Sequence, residues 1–420
     1  MAAEQAARDA ALFSHVDASP YELDDSLESE LLSPSLVVHM PMVRRNVRTM
    51  VALCGGPNRW RPHLKTTKLP AVWLELASAG VTHFKVATTR EASVLCAALH
   101  EFQQGSRRGG GRWDVLVAHH PVGPNLQRLA AVQEAWPNVR LSTLAEDGMG
   151  AASVPAPLGV FVDVNVGMDR TGCPAADAGR AMSAFRNAGG RFRGVHAYEG
   201  HLTSGTAEER AASASQSYEQ AAALMRQMAA EAGPEAAASW EMVTSGTPAL
   251  LCGLGWDWEG ALPAGAAHRV GAGTVVFHDM SGEAQNPGMG LVPAATVFAR
   301  VVSAPREGRV TLDAGSKALA AEAGHPAACV LGRPGLVMRP LSEEHAPCDG
   351  AKDGGAGHPG PPGRGVGVHL VPRHVCPTVN LAERAVLVEG PGEPYRVVAV
   401  QARAHDVLRS EPLQGLQHEA

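Results

Sequence analysis

In RPHLKTTK, residues 61–68, two lysines follow an arginine and a histidine directly behind Trp60. A lysine amine condenses with a carbonyl compound once it is uncharged, and loss of hydration in a barrel mouth favours that form. Lys65 falls where an apolar strand-like pattern ends, whereas Lys68 precedes the Leu69-Pro70 helix start and is expected to face water. The competing reading makes both lysines ordinary surface charges. VGMDRTGC (166–173) sets Arg170 beside Asp169, and HAYEGHL (196–202) gathers Tyr198, Glu199 and His201. Such concentrations of titratable groups suit a reactive site, or else a satisfied polar network. TSGTPALL (244–251) and VGAGTVVF (270–277) place small and hydroxyl residues in turns whose N–H groups can take a phosphate, although glycines more often only make turns. In HVCPTVN (374–380), His374 and Cys376 are two apart and would project from one face of a strand. Imidazole with a soft thiolate suits zinc, and two close ligands leave positions for water or substrate. Alone, H-x-C fits a structural pair better.

These residues need elements to hold them. Short β-rich runs alternate with Ala-rich helical segments from residue 36 to about 245: SLVVHM (35–40), WRPHL (60–64), HFKVAT (83–88), WDVLVAH (113–119), VRLSTLA (139–145), LGVFVDVNV (158–166), FRGVHAY (192–198) and WEMVTS (240–245). Segments such as LPAVWLELASAG (69–80), TREASVLCAALHEF (89–102) and 207–233 read as the helices between them. Eight strands each followed by a helix is the count of a (β/α)8 TIM-like barrel, and an open doubly wound sheet is the alternative. In a barrel the strand C-termini form the site, which selects Lys65, Asp169-Arg170, Tyr198 to His201 and Ser245 to Thr247. Beyond about residue 290 the runs 291–304, 308–315, 327–332, 367–372 and 384–390 lack intervening helices and predict a C-terminal all-β domain. The division is therefore 34–288 for the barrel and 1–33 plus 289–420 for the β domain. The Gly- and Pro-rich stretch 346–366 reads as a mobile surface loop.

Composition narrows the classes. With 420 residues, 45% of them hydrophobic, the chain can bury a large core. Its net charge of -6 and the lack of a basic stripe argue against a nucleic-acid partner. No apolar run is long enough to span a membrane, and the acidic start YELDDSLESELL (21–32) lacks transit-peptide character, so a cytoplasmic protein is expected. Seven scattered cysteines do not resemble a disulfide framework.

Taken together, RPHLK (61–65), GVTHFKVATTREA (80–92), HHPVGPN (119–125), DVNVGMDRTG (163–172), HAYEGH (196–201), TSGTPAL (244–250), SEEH (342–345) and HVCPTVNL (374–381) resemble one family. It is that of the fold-type III pyridoxal 5'-phosphate enzymes acting on D-3-hydroxy amino acids, D-threonine aldolase and D-serine dehydratase, with the aldolases more similar. The resemblance runs from about residue 34 to 405. It implies an alanine racemase-like barrel followed by a β domain whose first strand comes from the N-terminus, usually as a homodimer. Lys65 would hold the cofactor as a Schiff base, Arg170 would lie near its phenolic oxygen, and Tyr198 would face its ring nitrogen. Ser245, Gly246, Thr247, Gly273 and Thr274 would cradle the phosphate, and His374 and Cys376 would bind a divalent metal (zinc, manganese or magnesium).

The implied reaction is retro-aldol cleavage of a D-3-hydroxy amino acid such as D-threonine, with His201 taking the hydroxyl proton directly or through water. Dehydration of D-serine or D-threo-3-hydroxyaspartate on the same site is the alternative. A cofactor-binding barrel without turnover is the rival of another class, and the β domain with its HVC stretch speaks against it. Two positions depart from the family pattern. Thr67 stands where the family often has histidine, and Cys376 stands where many D-threonine aldolases have aspartate, which favours zinc mildly and keeps the dehydratase reading open.

Overall fold

The computed structural model describes residues 2–105, 112–233, 235–350 and 360–413. The first strand, β1 (Ser35–His39), is followed by β2 (His83–Val86), β3 (Trp113–Val117), β4 (Val139–Ala145), β5 (Gly159–Asn165), the two-residue β6 (Cys173–Pro174), β7 (Phe192–Ala197), β8 (Glu241–Thr244) and β9 (Ala267–Val270). From β2 to β9 these strands form one parallel sheet in the order β2-β3-β4-β5-β7-β8-β9, with β6 beside β5. The sheet closes through the segment 60–63, because Trp60 bridges Val270 and His63 bridges Lys85, both in parallel. The result is the expected (β/α)8 barrel. Pro62 interrupts the ladder of its eighth member, which explains why WRPHL makes two isolated bridges instead of a strand.

One barrel strand was misplaced by the sequence reading. SLVVHM forms β1, which lies in the other sheet, antiparallel to β10 and parallel to β16, and the place in the barrel that it was given is taken by β9. Its pattern of buried residues is the same in either sheet, and periodicity does not name the partner.

The β domain contains β10 (Ala295–Arg306), β11 (Arg309–Leu312), β12 (Ala328–Val330), β13 (Val337–Met338), β14 (Ala346–Asp349), β15 (Gly367–Pro372), β16 (Arg384–Val388) and β17 (Arg396–Ala399). They pair in the order β13-β14-β11-β10-β1-β16-β17, with β15 against β10 and β12. The expected loop 346–366 starts as strand β14, and its residues 351–359 lie outside the described residues. The expected helices form as Pro70–Ser78, Thr89–Gly105 and Ala207–Ala232. Pro70 opens the first at a position that needs no N–H, and Thr206 with Glu209 makes a capping box for the last.

Along the barrel axis the inward residues form layers, as period-two alternation dictates. At the strand starts Arg61 reaches Asp114 (2.8 Å) and Glu241 (2.7 Å), Arg269 reaches Glu241 (3.0 Å), and Arg140 pairs with Asp114. Above this charged plug Leu116, Leu144, Phe161 and Val243 pack as a buried apolar group. The cavity opens over it.

Candidate active site

A cavity of about 300 Å³ at the C-terminal ends of the strands is lined by His63, Lys65, Lys85, Arg170, His196 and Tyr198, by the turns at 246–248 and 271–274, and by Asp279, His374 and Cys376. That size fits a small cofactor with its substrate. Lys65 is exposed at its mouth, just past the His63 bridge that stitches its segment to β2. Lys68, expected in water, is buried instead: its Nζ donates to Glu91 Oε1 at 2.7 Å and to the Ala402 carbonyl at 3.2 Å. The paired carboxylate offsets the lost hydration. Thr67 is buried too, and its hydroxyl accepts from Trp73 Nε1 at 2.8 Å, so it anchors the segment to the following helix.

Arg170 stands on the loop after β5. Asn165 Oδ1 accepts from the N–H groups of Gly167 (3.0 Å) and Asp169 (3.1 Å), and Asp169 takes a left-handed φ of 53°, which turns the chain so that the Arg170 guanidinium lies 5.1 Å from the Tyr198 ring centroid. The Tyr198 ring is held between two glycines: a Cβ added at Gly200 would lie 2.2 Å from it, and one at Gly246 2.7 Å from it. Burial raises its phenol pKa.

Gly246, Thr247, Gly273 and Thr274 line the cavity. At Gly273 a Cβ would stand 2.0 Å from the His63 carbonyl oxygen, so the two backbones can approach only without a side chain. Ser245 is not among the lining residues. Its φ is 60° and its hydroxyl meets those of Tyr218 and Thr244, both at 2.9 Å, while its N–H donates to Glu199 Oε2 at 3.2 Å. Ser245 thus braces the turn from below, and the buried Glu199, whose pKa burial raises, accepts from Tyr218 OH at 2.7 Å in the same brace.

His201 is exposed and also outside the lining, on the rim beside Gly167. Any part it takes in the cavity runs through water.

His374 and Cys376 do line the cavity, but they do not share a strand face. β15 ends at Pro372, and the two residues occupy the N-cap and second position of the short helix Val375–Leu381. The turn is fastened to the barrel: Asp279 accepts from the Val375 N–H at 2.9 Å, and Thr66 Oγ1 lies 2.9 Å from Cys376 Sγ. A hydrogen bond to Cys376 raises the His374 pKa. Burial pushes the Cys376 thiol up, yet the His374 hydrogen bond and charge outweigh it and the pKa falls. An imidazole beside a thiol inclined to ionise is a donor set that fits a borderline-soft divalent cation.

A second group of possible ligands, His83, Asp114 and Glu241, has its atoms within 4.8 Å of one another at the opposite end of the barrel. Both carboxylates there are already taken by Arg61, Arg140 and Arg269, and burial followed by Arg61 and Arg269 lowers His83 to about 3. We read this cluster as the ion-paired plug of the barrel, since a cation would have to displace guanidiniums.

The sequence reading missed Lys85, His196 and Asp163. Asp163 sits between His196 Nδ1 (2.7 Å) and His120 Nε2 (2.9 Å), which fixes the ring of His196 at the cavity wall. A lysine at an inward position of a buried parallel strand was the available signal for Lys85. Pyridoxal phosphate fits these residues: an amine at the mouth, the cation Arg170 to meet an anionic group, and two glycine-bearing turns, at 246–248 and 271–274, lining the wall where a phosphate can meet backbone N–H groups.

The comparisons agree with this fold. The family described as alanine racemase, N-terminal domain, matches residues 38–251, and that described as putative serine dehydratase domain matches 294–388. A D-threonine aldolase from Arthrobacter sp is 28% identical over 371 residues, 85% of this chain and 89% of that protein. The structure of D-threonine aldolase from Filomicrobium marinum superposes with a TM-score of 0.73 at 23% identity, covering 89% of this chain and 95% of that one. The D-threo-3-hydroxyaspartate dehydratase from Delftia sp. HT23 gives 0.66 at 22% identity over 90% and 99% of the two chains, and a cysteine-to-alanine mutant described as D-threo-3-hydroxyaspartate dehydratase is in a metal-free form. At these identities the structures speak for the fold. With the first family matching about half of the chain, the protein belongs to the alanine racemase N-terminal-domain family, as a fold-type III, pyridoxal phosphate-dependent lyase related in sequence to D-threonine aldolase.

Proposed function

We propose that the protein is a D-threonine aldolase, dependent on pyridoxal 5'-phosphate and a divalent metal, that cleaves D-threonine and other D-3-hydroxy amino acids to glycine and an aldehyde. The observation that supports this most is the meeting of Lys65 from the barrel with His374 and Cys376 from the β domain in one cavity. It puts an amine for the cofactor and a donor pair for a cation within reach of one small substrate. When bound, the cofactor supplies the sink for the electron pair freed as the Cα–Cβ bond breaks, and the cation lowers the pKa of the β-hydroxyl.

The chain's own residues have these parts. Lys65 would hold the aldehyde of the cofactor, Arg170 would meet its phenolic oxygen, the Tyr198 ring would bound the side of the cofactor that carries the ring nitrogen, and Gly246, Thr247, Gly273 and Thr274 would take its phosphate, with Ser245 bracing that turn. His374 and Cys376 hold the cation, and the thiolate favours zinc over manganese or magnesium. The hydroxyl proton passes through water to His201, because the histidines lining the cavity are ill suited to take it. Burial first, then Lys65 and Lys85, lower the His63 pKa, and burial lowers that of His196, so a proton on either ring is costly. His374 is engaged with Cys376. The hydroxyl gives up one proton and Cα gains one, so the cleavage needs no further reactant. Assembly as a homodimer completes the proposal.

The serine dehydratase-type β domain and the cysteine in the metal pair favour a second reading, in which the hydroxyl leaves and a ketoacid and ammonia form. One experiment separates the two. Protein loaded with pyridoxal phosphate and zinc or manganese is given D-threonine and D-serine separately, and glycine, aldehyde, ketoacid and ammonia are measured. Glycine with acetaldehyde from D-threonine is the expected result; ammonia from D-serine without glycine from D-threonine overturns the aldolase reading.

A further inference from the structure

The cavity holds two lysines, and the function proposed above uses only one. Lys85 is 2% exposed, lines the cavity, and has no ion pair among the described residues, in contrast to Lys68, which reaches Glu91 at 2.7 Å. Its register partner on β3 is Leu116, one of the buried apolar group under the cavity. Lys85 therefore brings a cation without an ion pair into an apolar layer, at a cost in hydration that the charge of Glu199 only partly offsets. Room for it is built in: a Cβ at Gly271 would stand 2.4 Å from Lys85 Nζ. On its other side the Tyr198 ring centroid is 5.7 Å away.

Depth separates the two lysines. Lys65 is exposed at the mouth beside the His374–Cys376 pair, whereas Lys85 lies at the floor, between Tyr198 and the turn that leads from Gly271 to Gly273. The mouth is where substrate and cation meet. The floor edge bounded by Tyr198 belongs to the cofactor ring.

Resting on the cofactor assignment above, we propose that Lys85 is a second cofactor-binding lysine, whose side-chain nitrogen donates a hydrogen bond to the ring nitrogen of pyridoxal phosphate and so keeps that nitrogen unprotonated. A pyridine nitrogen accepts one hydrogen bond through its lone pair, and both an ammonium and an amine can donate it. Burial, then Lys65, lower the Lys85 pKa to about 7, partly opposed by Glu199, so the donor persists on either side of neutrality. The ammonium repels a pyridinium, and the amine is a stronger base than an ordinary pyridine and so keeps the shared proton, whereas a carboxylate in its place would stabilise the pyridinium. The ring then withdraws electrons weakly, which throws more of the work onto the cation at His374 and Cys376.

The test uses the full chain loaded with pyridoxal phosphate carrying nitrogen-15 in the ring, and reads the nitrogen chemical shift. Wild type and Lys85→Arg are expected in the neutral-pyridine range, and Lys85→Glu in the pyridinium range. Circular dichroism and cofactor uptake are recorded on every sample. In Lys85→Met, which introduces no charge and serves where Lys85→Glu does not fold, the ring nitrogen is expected to take up its proton at higher pH than in wild type. A wild-type shift already in the pyridinium range overturns the proposal, as does an unchanged titration in Lys85→Met. The glycine assay on the same samples fails separately: no glycine from D-threonine with the nitrogen shifts as expected overturns the aldolase reading and leaves Lys85 in place.

Discussion

At the scale of single residues, the two halves of the site are separable. Lys65→Ala is expected to abolish the visible absorbance of lysine-bound pyridoxal phosphate. His374→Ala, or a chelator, is expected to abolish turnover while leaving that absorbance in place. Absorbance spectra with a glycine assay check both, and full activity in His374→Ala removes the metal from the reading. Lys85 adds a dependence on pH. Its ordinary pKa of 10.5 falls to about 7 in the folded, cofactor-free chain, so between these values the unfolded chain holds a proton that the folded one does not. Stability of the cofactor-free protein therefore rises with pH across that window and declines toward its lower end. The difference in denaturation midpoint between wild type and Lys85→Met should shrink as pH rises; a constant difference would refute the assignment. Lys65, Arg170, Tyr198 and the two glycine turns were legible because strand ends mark them. Lys85 was not, since HFKVAT reads as a plain buried strand until the register sets its lysine beside Leu116. The desolvation argued for Lys65 from sequence belongs, in the structure, to Lys85. Lys68 was misread because its partner Glu91 lies beyond the next strand, on the helix Thr89–Gly105, and a contact between segments so far apart leaves no trace in local spacing.

At the scale of elements, the charged plug holds the strand starts together. Arg61 is fully buried between Asp114 and Glu241, so Arg61→Met leaves two buried carboxylates short of a partner. Removing one member of such a network costs about 3–5 kcal/mol. Denaturant titration of Arg61→Met should show a loss of that order, with the cavity residues themselves untouched. The helices were legible, since caps and apolar period mark their ends. The strands were legible as elements but not as members of a particular sheet. β1 and the barrel strands carry the same run of buried β-branched residues, and hydrogen bonding to β10 and β16 decides where β1 belongs. HVC shows the reverse error: a period of two suggested a strand, and the N-terminus of a helix brings the same two side chains together.

At the scale of the whole molecule, the site exists only where the two domains meet, because the β domain supplies His374 and Cys376 to a cavity floored by the barrel. Among the described residues no helix is long and apolar enough to cross a membrane. Since β1 sits between β10 and β16, a fragment beginning at residue 289 lacks the central partner of its sheet. Such a fragment is expected to aggregate or stay unfolded by circular dichroism, and adding a peptide that contains residues 30–42 should restore strand signal. Normal folding of the bare fragment would show that β1 is dispensable. The same topology imposes an order of events on synthesis. β1 leaves the ribosome while the residues that will flank it, from 295 and 384 onward, are still untranslated. Its edges stay unpaired throughout translation of the barrel, and an unpaired apolar edge invites association with other chains. A barrel that folds first shortens the loop that must then be closed, since its packed body stands in for flexible chain. The barrel thus acts as a clamp for its own N-terminal strand, delivering it to the sheet that completes the catalytic cavity.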